Sequence, residues 1–188
     1  MADKKVIHKN ESVEFFHQGL FDIILGWHES NANYDFCVFF RKKDKSTGGV
    51  FAHEFCGKQT EGTLEAFPYI YFMGEDRPQY DLGDLLGDIV RIANLHSMDE
   101  VYLVALDYDA CCQNKNGFDM PVTLVTTATN PLVKIDYSKS QQEYGTVLLL
   151  STLKETDKGD IIITNKSQLM SLEDAFEKIP GFSHICRQ

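Results

Sequence analysis

Ten residues, "QYDLGDLLGD" (Gln79–Asp88), set three aspartates, Asp81, Asp84 and Asp88, along a leucine-rich run broken by two glycines. Carboxylates interleaved with glycines suit a hard divalent cation, since Ca²⁺ takes about six to eight oxygens from a loop supple enough to wrap it. The run does not follow the EF-hand pattern, because Gly83 and Leu85 stand where oxygen ligands are needed. A site here must therefore draw further oxygens from elsewhere in the chain. The competing expectation is an amphipathic helix. Leu82, Leu85, Leu86, Ile89, Val90 and Ala93 fall at helical spacing, with Asp81, Asp84, Asp88 and Arg91 on the opposite face. Against it, Gly83 and Gly87 each cost a helix interior about 1 kcal/mol relative to Ala, and Val90 and Ile92 also suit a strand. Periodicity alone does not choose between the two. The helix, with its acids in water, is the plainer expectation.

Other chemistry finds less support. His8, His17, His28, His53, His96 and His184 show no HxH or HExxH spacing, so no zinc site is expected. No GxSxG, Walker-type phosphate loop or GxGxxG follows a strand and opens a helix. Cys37 or Cys56 could pair with His28 or His53 as a nucleophile, but no motif stands behind any such pairing. A non-enzymatic role is expected. The five cysteines, Cys37, Cys56, Cys111, Cys112 and Cys186, lack CxxC spacing and form no disulfide framework, which points to a reducing cytoplasm. The adjacent Cys111-Cys112 could sense redox or hold a soft metal. Two small residues in a turn leaving a strand is the preferred account.

The net charge of −10 makes nucleic acid and anionic membrane surfaces poor partners and favours cations or basic surfaces. "RKKDK" (Arg41–Lys45) is a short basic island and is expected as a solvated turn. The N-terminus lacks a signal-peptide core, and no later run approaches the length of a membrane span.

The elements that must position these groups are mostly strands. "FDIILGW" (Phe21–Trp27), "FCVFF" (Phe36–Phe40), "YIYFM" (Tyr69–Met73) and "VYLVAL" (Val101–Leu106) are short, apolar and rich in aromatic or β-branched residues. "PVTLVTT" (Pro121–Thr127), "LVKID" (Leu132–Asp136), "TVLLLSTL" (Thr146–Leu153) and "DIIIT" (Asp160–Thr164) follow. The last two should form a hairpin across Asp157-Lys158-Gly159. One weak strand is expected near Val50–Phe55. A helix is expected near 171–179, where Ser171 caps, Leu172, Ala175, Phe176 and Ile179 make a stripe, and Pro180-Gly181 ends it. Strands punctuated this regularly predict a mainly β chain, an antiparallel β-sandwich with one short C-terminal helix. The sandwich domain should span 1–168, with the helix and tail of 169–188 packed on it.

"FDIILGWHESNANYDFCVFF" resembles the opening of the tellurium-resistance TerD family, with a strand ending in Leu-Gly-Trp and an acidic pair entering the next strand. "VIHKNESVEF" is similar to that family's first strand, "DEVYLVALDYDA" to its long central strand ending in an Asp-Ala pair, and "QNKNGFDMPVTLV" takes the place of its Gln-x-Phe-Gly segment. "VKIDYSKSQQEYGTVLLLSTLKETDKGDIII" tracks its closing strands, so the resemblance covers nearly all of residues 6–168. It implies a β-sandwich that binds Ca²⁺ between two acidic loops and serves stress response without catalysis.

Carried over position by position, the family's Asp-Leu-Asp falls on Asn33-Tyr34-Asp35. Its dense acidic run falls on Gly83-Asp84 through Gly87-Asp88, with Asp81 just before, and its Asp-Ala acid is Asp109. The implied ligand set is thus Asn33, Asp35, Asp81, Asp84, Asp88 and Asp109. The pattern departs in three places: His28 replaces the acid usual after the Trp, Asn33 replaces one Asp, and two apolar residues interrupt the acidic run. Fewer charged ligands mean weaker binding. The expectation is a cytoplasmic TerD-like protein that binds Ca²⁺ weakly and acts through protein partners. The alternatives are a metal-free interaction module of the same fold and, on aromatic content alone, a sandwich that binds a small ligand or nucleotide.

Overall fold

One strand much longer than the rest sets the architecture. The computed structural model describes residues 4–28, 34–52, 60–74 and 85–186. Its strands in chain order are β1 (Lys4–Val6), β2 (Ser12–His28), β3 (Tyr34–Lys42), β4 (Thr47–Val50), β5 (Gly62–Thr63) and β6 (Ile70–Gly74). There follow β7 (Leu85–Ile92), β8 (Met98–Asp107), β9 (Val122–Asn130), β10 (Leu132–Tyr137), β11 (Val147–Glu155) and β12 (Ile161–Met170). Two short helices, α1 (Tyr108–Cys112) and α2 (Leu172–Lys178), and a 3-10 helix at Phe182–Cys186 complete the described residues. No helix among them is long and apolar enough to cross a membrane.

The first part of β2, Ser12–Phe15, pairs with β12, while Phe21–His28 pairs with β7 and, over Asp22–Trp27, with β9. Between these halves the register against β9 slips, and Gly19 takes a φ of 74° that a side chain would resist. β2 therefore belongs to both layers of a sandwich. One layer runs β1-β10-β9-β2-β7-β6-β5 and the other β2-β12-β11-β8-β3-β4. Every pairing is antiparallel except that of β1 with β10.

The core lies where the layers face each other. Phe21, Ile23, Leu25 and Trp27 of β2, with Val90 and Ile92 of β7, pack against Phe36, Val38 and Phe40 of β3 and Leu103 and Ala105 of β8. The second layer is also buried on its outer face. There Cys37, Phe39, Val104, Leu106 and Val147 meet Ala175, Ile179, Phe182 and Ile185 of the C-terminal segment. Burial on both faces is why "FCVFF" and "VYLVAL" read as unbroken apolar runs, whereas β9, "VTLVTTATN", largely alternates between buried and partly exposed residues.

The expected C-terminal helix forms. The Ser171 hydroxyl accepts from Asp174 N at 3.1 Å, a cap that contributes about 1 kcal/mol. Beyond it Gly181, at φ 88°, lets the chain close on β4, where a Cβ would stand 2.6 Å from Gly48 O. The expected hairpin is β11–β12, closed by Thr156 N to Asp160 O at 2.8 Å and Gly159 at φ 86°. The basic island is the turn between β3 and β4, with Arg41 and Lys45 both held on Asp99.

Three expectations are corrected. The helix anticipated over residues 82–93 is strand β7 over Leu85–Ile92. Its Val90 and Ile92 face the core opposite Ile23 and Phe21, and Gly87 lies so close to β2 that a Cβ would meet Leu25 O at 2.6 Å. The weak strand near Val50–Phe55 is β4, shifted toward the N-terminus and followed by one bridge, Phe51 to Thr60, while residues 53–59 lie outside the described residues. Cys111 and Cys112 sit in α1 rather than in a plain turn, because the Asp107 side chain accepts from Ala110 N and caps a short helix there.

Candidate functional site

At one end of the sandwich β2 and β8 finish, β3 and β7 begin, and the segment 117–120 crosses between them. β4 pairs with β3 only from Val38 onward, so the Phe36 N–H near the start of β3 has no ladder partner on that side. Asp88 supplies one. It lies opposite Leu25 on β2, which turns its side chain into the sandwich, and its Oδ2 accepts from Phe36 N at 2.9 Å. The carboxylate is 6% exposed, so this charge-assisted bond, which crosses from one layer to the other, is shielded from water.

Asp35, half-buried, pairs in register with Leu106 and stands on the other side of β3. Both carboxylates reach the Cys37 thiol electrostatically. Burial holds that thiol well above its ordinary range, and Asp35 and Asp88 push it further up. A thiol so placed stays protonated and is neither a nucleophile nor a soft-metal ligand. The donors at this end are oxygens, which suits a hard cation.

Aromatic rings and a clamped segment close the same end. Trp27 meets Tyr34 edge-on at 5.7 Å between ring centres, and Tyr34 stacks on Phe118 at 4.8 Å. The Tyr34 hydroxyl accepts from Met120 N at 3.1 Å and lies 3.3 Å from Met120 O. Burial pushes this phenol up to about 12, with Asp107 and Asp119 adding to the shift and the Met120 backbone opposing it. Lys139, largely buried, donates to Gly117 O at 2.7 Å and to Asp119 Oδ1 at 2.6 Å.

Asp107, which sequence reasoning passed over in favour of Asp109, is the acid that organises this end. Its Oδ1 accepts from Ala110 N and its Oδ2 from Phe118 N, each at 3.0 Å. Gly117 lies against it, where a Cβ would come within 2.9 Å of the carboxylate. The signal was present in "DYDA", an acid three residues before the amide it caps. Asp109 is exposed in the first turn of α1.

Of the six carried-over ligand positions, Asp35, Asp88 and Asp109 are described, and Asn33, Asp81 and Asp84 lie outside the described residues. The structure places Asp35 and Asp88 near the Cys37 thiol from different sides of β3 and leaves Asp109 on the surface. Among the described residues no group of three or more His, Cys, Asp or Glu side chains is arranged to hold a metal. Two carboxylates fall short of the six to eight or so oxygens Ca²⁺ takes. A complete shell needs residues from 29–33 and 75–84, the segments that lead into β3 and β7. No protein-family model matches the chain, and no curated protein matches it.

Proposed function

We propose that this chain is a TerD-like, non-enzymatic stress-response protein of the cytoplasm that takes Ca²⁺ weakly where β3 and β7 begin, and acts through protein partners. The observation that carries the reading is the Asp88–Phe36 bond. It ties β7 to the start of β3, so that the carboxylates of Asp88 and Asp35 both come near the Cys37 thiol. Asn33 immediately precedes β3 and Asp84 immediately precedes β7. Asp35 and Asp88 supply carboxylate oxygen there. Like charges so gathered repel when no cation is present, and Ca²⁺ would relieve that repulsion. The mainly β sandwich is the fold the TerD resemblance implies.

The test is a Ca²⁺ titration of the intact chain, followed by thermal unfolding and by fluorescence of Trp27, the single tryptophan, which pairs with β7 two residues from Asp88. Bound Ca²⁺ should stabilise the fold by RT ln(1 + [L]/Kd), about 2.7 kcal/mol at a hundredfold excess over Kd. Asp84→Asn should erase that gain, and Asp174→Asn, on α2, should leave it intact. A melting temperature equal in millimolar Ca²⁺ and in chelator would rule the site out. One observation favours the alternative of a metal-free interaction module: the Asp88 carboxylate already has a structural partner in the Phe36 amide. In that case Asp88→Asn would change neither fluorescence nor stability in a calcium-dependent way.

A further inference from the structure

Among the described residues, three buried side-chain polar atoms make no hydrogen bond of good geometry: Trp27 Nε1, Ser151 Oγ and Tyr137 Oη. Leaving such an atom unpaired costs about 1–3 kcal/mol. Tyr137 lines a cavity of about 570 Å³ beside the β1–β10 edge. That volume is within the usual range for small-molecule sites, roughly 300–1,000 Å³.

The wall of this cavity is built rather than incidental. Asn165, 2% exposed, donates from Nδ2 to Ile7 O at 2.8 Å and accepts at Oδ1 from Ser167 Oγ at 2.6 Å. Ser167 is itself buried and holds a φ of 40°, a left-handed conformation that a non-glycine residue keeps only when its surroundings enforce it. Tyr137, 5% exposed, is fixed edge-on to Phe118 at 6.5 Å between ring centres. Burial first, then the charge of the Glu143 carboxylate and its reach toward the hydroxyl, raise the phenol far above the ordinary range, so it remains a donor, and Glu143 makes no short, well-aligned hydrogen bond with it. Ser138, Ser140 and Gln142 line the mouth, and among the described residues their side chains make no hydrogen bond.

The charges around the cavity balance. Asp136 is neutralised by Lys134 at 2.7 Å and accepts from the Thr123 hydroxyl at 2.7 Å, which leaves Lys9 to stand against Glu143. A balanced rim gives no strong pull on an ion. Hydroxyls that both donate and accept, with amides beside them, match a ligand that does the same. We propose that this cavity binds a small neutral polyhydroxylated molecule of the sugar or cyclitol class, with Tyr137 Oη as its central donor. The site is separate from the acidic end. The ring series Trp27, Tyr34, Phe118 and Tyr137 runs between them, with Tyr137 at the far end from β7.

The experiment titrates the intact, isotope-labelled chain with ribose, glucose and myo-inositol and follows backbone amide shifts. At least one of the three should move the amides of Tyr137, Ser138 and Ser167 saturably. Tyr137→Phe should weaken that binding about tenfold, the equivalent of one neutral hydrogen bond. Its melting temperature should stay within roughly 4 °C of the unaltered chain's, because the hydroxyl loses only the loosely placed Glu143 carboxylate. Ser138→Ala, on the exposed mouth, should weaken binding while leaving the fold as it was. No saturable shift with any of the three probes overturns the proposal, as does equal affinity in Tyr137→Phe. A melting temperature lowered by more than that for Tyr137→Phe also overturns it, since the hydroxyl would then be firmly bonded within the protein. Tighter binding of inorganic phosphate or tetramethylammonium at these amides overturns the neutral class.

Discussion

Removing the Asp107 carboxylate tests whether one side chain organises the acidic end. Asp107→Ala deletes two charge-assisted hydrogen bonds, to Ala110 N and Phe118 N, in a residue that is 7% exposed. Bonds to a charged partner contribute about 1.5–3 kcal/mol each, so the loss should be about 3–6 kcal/mol. For a chain of this length that lowers the melting temperature by roughly 10 °C. Asp107→Asn keeps one oxygen acceptor but turns an NH₂ toward the other amide, so it should cost about half as much. Urea unfolding orders the three proteins, and hydrogen exchange locates the damage. Amide protection should drop first at Ala110 and Phe118, while Leu103 and Leu150 in the core keep theirs. Asp107→Ala within about 1 kcal/mol of the unaltered chain would refute the reasoning, because two buried N–H groups cannot lose a charged acceptor so cheaply.

Four other outcomes follow from the same geometry. Asp88→Asn retains an oxygen for Phe36 N, so calcium-free stability should stay within about 1 kcal/mol while the Trp27 response to Ca²⁺ is lost, checked by paired melts in chelator and in Ca²⁺. Arg91→Ala leaves Asp22, 3% exposed, without a guanidinium that bonds it at 2.7 and 2.9 Å, and should cost about 2–3 kcal/mol in denaturant unfolding. Gly181→Ala forces a side chain into φ 88° and against Gly48 O, and should lower stability by about 1–3 kcal/mol, with exchange rising first in the C-terminal segment. In the folded chain at mildly alkaline pH, iodoacetamide should modify exposed Cys112 and spare buried Cys37, whose thiol is held protonated. Peptide mass spectrometry reads this directly.

The strands were legible because their composition is strongly biased, and the C-terminal helix because Ser171, Asp174 and Gly181 mark its limits locally. What a local pattern could not convey was burial on two faces. The β3 and β8 runs look alike on either side, and only the docking of Ala175, Ile179 and Phe182 explains why neither side is polar. β7 was misread for a related reason. Asp88 points inward, where a half-buried strand should carry an apolar residue, and this breaks the alternation and lets a helical spacing emerge by coincidence. The glycines held the counter-signal. A glycine that costs a helix about 1 kcal/mol is at home in a strand where another backbone comes close, as Gly87 is beside Leu25.

The same inward carboxylate explains why the acidic end was only half legible. Sequence ranks aspartates by spacing and neighbours, and on that basis Asp109 looks as good as Asp107 and Asp81 as good as Asp88. The fold separates them by ladder arithmetic. β3 runs past the end of β4, which leaves the Phe36 amide unpaired near an edge that the other layer approaches. A buried unpaired amide demands an acceptor, and the residue of β7 that faces inward at that level is Asp88. An aspartate fixed there by a structural need also brings a negative charge close to the Cys37 thiol, which Asp35 reaches from the other side of β3. In the calcium-binding reading proposed above, the side chain that meets this structural need would also be the one that meets the cation.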